Sequence, residues 1–173
     1  MMSNVYTKLF SRRITISGFG IFKDSQSMCH LFREEKTPMK TMKELKEWTV
    51  SQQALNQDLL NYLNAPVIKQ YTDTVEEDRE CRERLDYLGK LSVVFENYDK
   101  FEKTGLSDGI DLKTLEKLRD YCKSEKEKYT ARIYGFAQDK KQFCRVYMES
   151  EYMTGYQDAE LALIMLIVTE KSR

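Results

Sequence analysis

At 173 residues, 41% hydrophobic and 32% charged, the chain has the length and apolar content for one domain with its own core. Lysine plus arginine equals aspartate plus glutamate at 28 each, so no global field draws it to nucleic acid. Two prolines and seven glycines, among abundant Glu, Lys, Leu and Tyr, suit long solvated helices better than a sandwich or barrel.

Residues 1–36 read as an irregular basic segment. Met1 to Lys23 contains no acid, whereas Lys8, Arg12, Arg13 and Lys23 are basic. Lys8, Phe10, Arg12 and Arg13 are candidates for membrane contact, the ring inserting while the cations meet phosphates. The same composition has the flavour of a mitochondrial presequence. Ile14 to Ser17 alternates like a short strand, and Gly18-Phe19-Gly20 lacks the third glycine of a dinucleotide fingerprint.

Residues 37–173 read as helical. Pro38 after Thr37 suits a first helical position, and Thr41 with Glu44 offers a second, capping-box start. That helix is expected to reach about Asn64, where Pro66 forces a kink or break. From Val67 to Lys103 a narrow apolar stripe predicts uninterrupted helix, with Glu76 to Arg84 charged everywhere except Cys81. Gly105 supplies a stop, and 104–111 is the expected tip. Asp111 can cap a return helix in which Leu115, Cys122, Tyr129, Phe136 and Phe143 recur every seven residues. This helix is expected to run to about Ser172.

Folding at that tip sets Phe95 against Tyr121 and Cys122, and Leu85 against Ala131. It also sets the apolar run Leu161 to Val168 beside Trp48 to Leu55, making Trp48, Leu55, Leu163 and Leu166 the expected self-association residues. The fold class is therefore all-α: a long antiparallel, coiled-coil-like hairpin within an elongated helical bundle.

The residues of chemistry do not converge. Cys29, Cys81, Cys122 and Cys144 are widely spaced, and the one histidine, His30, has only Cys29 beside it. No nucleophile elbow, phosphate loop or HExxH string occurs. The expectation is no enzyme, no metal, no cofactor and no small-molecule substrate. The run Leu161 to Val168 falls far below the roughly 20 apolar residues of a membrane-crossing helix.

Four strings carry a family resemblance: LLNYLNAPVIKQYTDTVEEDRECRERLDYLGKL, KFEKTG, LEKLRDYCKSEKEKYTAR and FAQDKKQFCRVYMESEY. Together, from Leu59 to about Tyr156, they resemble the second and third helices of a BAR-superfamily domain; the family's long first helix has no counterpart before Thr37. The resemblance implies dimerisation through a helical bundle and basic arms and tips that bind anionic membranes. Lys100, Lys103, Lys113, Lys117, Arg119 and Lys123 are the corresponding lipid-binding candidates. The implied protein is a cytoplasmic, membrane-peripheral scaffold, a homodimer or the partner of another helical protein. The alternative is a coiled-coil adaptor or assembly subunit without membrane activity.

Overall fold

A computed structural model of the protein describes residues 39–71, 73–107, 109–137 and 143–173. The expectations placed on Lys8, Phe10, Arg12, Arg13, Cys29 and His30 lie outside the described residues. Among the described residues there are six helices and no strand: α1 (Met42–Leu63), α2 (Pro66–Tyr71), α3 (Val75–Glu96), α4 (Tyr98–Thr104), α5 (Leu112–Ala137) and α6 (Phe143–Lys171).

Local chemistry sets most of the boundaries. α1 starts on a reciprocal capping box: the Glu44 N–H donates to Thr41 Oγ1 at 3.3 Å, and the Thr41 N–H donates to Glu44 Oε2 at 2.9 Å. It ends at Leu63, where Asn64 Nδ2 donates to Leu60 O at 2.9 Å and to Asp78 Oδ1 at 2.5 Å. Pro66 then opens α2, a position that needs no N–H. Gly105, at φ 91°, stops α4 in a conformation that would strain any other residue. Asp111 Oδ1 accepts the Thr114 N–H at 2.7 Å at the start of α5.

The helices pair as two antiparallel hairpins. α3 returns along α1, with Cys81 Sγ 3.0 Å from Asn56 O and Thr74 Oγ1 3.4 Å from Leu63 O. α6 returns along α5, tied by Lys171–Glu116 at 2.7 Å, Lys126–Glu160 at 2.5 Å and Arg132–Glu149 at 3.8 Å. The hairpins share a core made by Leu45, Leu88, Leu91, Val94 and Phe95 with Leu115, Leu118, Cys122, Tyr156 and Leu163. Each large side chain buried there contributes on the order of 1.5–3 kcal/mol. Leu60, Leu63 and Cys81 form a second, smaller cluster within the first hairpin.

The all-α architecture of antiparallel helices is the one expected, but the pairing is corrected: α3 packs chiefly on α1 and α5 on α6, rather than α3 on α5 about a tip at 104–111. The stretch from Val67 to Lys103 is not one helix: it is interrupted between Tyr71 and Val75, and α4 starts anew after Asn97. The return helix is also two helices, because the chain reverses between Ala137 and Phe143. The intervening QDKKQ holds neither proline nor glycine, and the seven-residue spacing runs through it from Phe136 to Phe143. Folding back sets Tyr156, Leu163 and Leu166 of α6 in the core with Leu115, Leu118 and Cys122 of α5.

The register of α3 against α5 differs from the expected one as well. Tyr87 stacks on Tyr121 with ring centroids 4.2 Å apart, and Arg84 reaches Glu125 at 3.6 Å. The expected register would have set Tyr87 against Tyr129. The seam has slipped by roughly one heptad, which keeps the same stripe facing inward.

Candidate interaction surfaces

A polar layer lies beneath the shared core. Glu125 is 2% exposed, and its carboxylate takes Lys128 Nζ at 2.6 Å on one oxygen and Arg84 Nε at 3.6 Å on the other. Arg84 Nη1 donates to Asn56 Oδ1 at 3.2 Å, joining α1, α3 and α5. Desolvation alone would lower the pKa of the Arg84 guanidinium, but Glu125 and the tyrosines around it hold it above its ordinary value.

Those tyrosines form a cluster. Tyr156 packs edge-on to Trp48 at 5.0 Å and to Tyr121 at 5.9 Å, and stacks on Tyr129 at 5.7 Å. Burial pushes the phenols of Tyr121, Tyr129 and Tyr156 upward, Tyr129 to about 12. Cys81 and Cys122 are buried thiols that burial likewise raises, the opposite of an activated nucleophile. Among the described residues no three His, Cys, Asp or Glu side chains gather to hold a metal. A shallow groove of about 400 Å³ between α3 and the start of α5 is lined by Leu85, Gly89, Val93 and Thr114, and its Asp86 and Lys90 pair with each other at 2.5 Å.

The six basic candidates do not share one face. Lys100 and Lys103 lie on α4, exposed. On α5, Lys113 and Lys117 form one i, i+4 row, and Arg119 and Lys123 form another. At 3.6 residues per turn, Glu116, Asp120 and Glu127 fall between these rows. Arg119 donates to the Asp120 carboxylate at 2.7 and 3.0 Å. The outer face of α5 is thus basic, acidic, then basic, with little net field to offer an anionic surface.

The expected self-association set also divides. Leu163 and Leu166, 0% and 2% exposed, fill the core of this chain. Trp48 lies on Gly155 and Tyr156, one to two turns before the expected Leu161 to Val168 run, because the reversal after Ala137 resets α6. Leu55 is partly exposed on α1.

The opposite side of α6 carries what these residues were expected to supply. Leu161, Ile164, Met165 and Val168 are 42, 37, 52 and 58% exposed and follow one another at i, i+3, i+4 and i+7. The α6 sequence is apolar all round here, so it holds two seams, one facing inward and one facing out. Only the run itself was visible in the sequence; which seam stays open depends on where α5 packs. Among the described residues no helix is long and apolar enough to cross a membrane. No family model, curated protein or solved structure matches the chain.

Proposed function

We propose that the protein is an assembly subunit: a helical bundle without chemistry of its own that docks another helical protein surface. The outer strip of α6 carries this reading. Contiguous exposed apolar residues mark interaction sites, because each leaves surface in water that a partner would cover at about 25 cal/mol per Å². The aligned charges of α5 support a protein partner over an anionic membrane, since its acidic row offsets the cations on either side.

The membrane-peripheral, BAR-like scaffold is the second reading, favoured by the exposure of Lys103, Lys113, Lys117 and Lys123. A photo-crosslinking residue at Met165, and separately at Lys117, separates the two in cells that express the full chain. Protein adducts at Met165, with no binding of the purified chain to phosphatidylserine vesicles, are expected. Vesicle binding that K103E/K113E/K117E abolishes, with no protein adduct at Met165, would overturn the assembly reading.

A further inference from the structure

We infer that the end of the first hairpin, centred on α2, is a second contact surface, which takes a cationic amphipathic helix of another protein. It stands independently of what covers α6.

α2 has six residues, and none of its side chains is buried. A helix that short is not stable alone in water, because helices owe most of their stability to a packed apolar face. Here the apolar face is open: Val67 and Tyr71, at i and i+4, are 64 and 83% exposed. Lys69 adds to the Arg82 and Asn64 contacts that lower the Asp78 pKa, so Lys69 lies on the side of α3. At 3.6 residues per turn, Val67 and Tyr71 lie roughly 160° around α2 from Lys69, away from α3. Leu59 and Tyr62, exposed at i and i+3, add apolar surface on the last turns of α1. The exposed parts of these four side chains are on the order of 600 Å². The charged rim brings that to the scale of a standard interface, roughly 800 Å² per partner.

Charge decides which partner fits. Arg79 is matched by Glu76 and Glu83, and Arg82 by Asp78. Asp58, Asp73, Glu77 and Glu80, all exposed, are left without an ion pair among the described residues. An apolar row rimmed by unmatched carboxylates repels an anionic membrane or an acidic protein. It complements a row flanked by lysine or arginine, and helical spacing is met best by the ridge of another helix. The α6 strip has no such rim, since Lys126 is matched by Glu160 and Lys171 by Glu116. The two surfaces therefore select different partners.

Fluorescence anisotropy tests this with the full chain and a labelled helical peptide of leucines at i, i+3 and i+4 flanked by lysines. The peptide is expected to bind, more weakly as salt rises. The same peptide with glutamate for lysine should not bind. Val67→Ser with Tyr71→Ser, both at exposed positions, should keep the helical circular dichroism and weaken binding about tenfold. Glu77→Gln with Glu80→Gln should weaken it less and flatten its salt dependence, whereas Met165→Ser should leave it unchanged. No binding, equal binding of the glutamate peptide, or binding untouched by the Val67 and Tyr71 changes overturns the inference. Binding lost in Met165→Ser would place the peptide on α6, so that this surface falls and the assembly reading stands.

Discussion

The two hairpins keep their surfaces apart from water in different ways. In the α1–α3 hairpin, polar groups reach the interior: Thr49, Gln52 and Asn56 are all buried. Thr49 Oγ1 donates to Leu45 O at 2.8 Å and Asn56 Nδ2 to Gln52 O at 2.8 Å, so these groups are satisfied by their own helix. The exposed side of α3 is an ion-pair ladder, with Arg79 between Glu76 and Glu83, Arg82 on Asp78, and Lys90 on Asp86. The α5–α6 hairpin instead buries rings and aliphatic chains, and α6 has apolar residues left over on its outside. A helix whose outer face is a ladder of matched charges is complete in water. One whose outer face is Leu, Ile, Met and Val is complete only against something else. The first hairpin also exposes Val50, Tyr62, Val67, Tyr71 and Val75, but these are spread over three helices. The four on α6 follow at i, i+3, i+4 and i+7 along one face, and that clustering supports placing the assembly surface on α6.

The largest effects follow from where burial is shared. Leu115 is fully buried in the core common to both hairpins, whereas Leu63 is 7% exposed in the small cluster with Leu60 and Cys81. Leu115→Ala is expected to cost about 4 kcal/mol and Leu63→Ala about 2 kcal/mol, the smaller site collapsing more easily around the lost methyls. Urea unfolding of the two variants measures the difference. Equal losses would mean that the first hairpin depends on its own cluster as heavily as the molecule depends on the shared core.

The polar layer between the hairpins comes next. Removing one partner of a nearly buried ion pair leaves the other charge uncompensated, whereas replacing both by apolar groups of similar size removes the problem. Glu125→Leu is expected to lower stability by about 3 kcal/mol, toward the low end because Arg84 keeps 22% of its side chain exposed and Asn56 as a partner. Arg84→Met with Glu125→Leu should recover most of that loss. If the double variant is as unstable as the single one, Arg84 contributes through packing of its stem, and the ion pair is incidental.

What the sequence made legible is the chemistry that acts within a turn or two. The Thr41–Glu44 capping box, the break before Pro66, the stop at Gly105 and the Asp111 cap all depend on near neighbours, and all are in place. The stripe Leu115, Cys122, Tyr129 is buried as its spacing requires. Pairing at long range was harder to read. A seven-residue repeat looks the same after a slip of seven, so the spacing that identifies the seam of α3 with α5 cannot fix its register. The reversal between Ala137 and Phe143 has no local breaker. The distribution of lysines around α5 became visible only once the buried side of that helix was known. The candidate surface on α6 was hidden for the same reason: the run from Leu161 to Val168 is apolar on every side, and only packing decides which side is covered.

The smallest predicted effect compares two glycines in the α5–α6 hairpin. In a helix interior glycine costs roughly 0.5–1 kcal/mol relative to alanine, so each needs a reason to be there. At Gly155 the reason is visible: a Cβ would lie 2.2 to 2.6 Å from the indole atoms of Trp48, which belongs to the other hairpin. The ring lies directly on the α6 backbone, and its buried Nε1 has no hydrogen-bond partner, so shape rather than polarity holds it there. At Gly135 a Cβ would meet nothing within 4 Å. Gly155→Ala is therefore expected to destabilise by about 1 kcal/mol, an overpacking penalty of roughly 1–3 kcal/mol reduced by the gain in helix propensity. Gly135→Ala should stabilise by roughly 0.5–1 kcal/mol. Trp48 is the only tryptophan in the chain, so its emission reports the displacement directly: a red shift in Gly155→Ala and none in Gly135→Ala. In a Trp48→Leu background the penalty at Gly155 should vanish, since a branched aliphatic chain can yield where a fused ring cannot. An unshifted emission and an undiminished penalty in that background would mean that the hairpins are not held together at this contact.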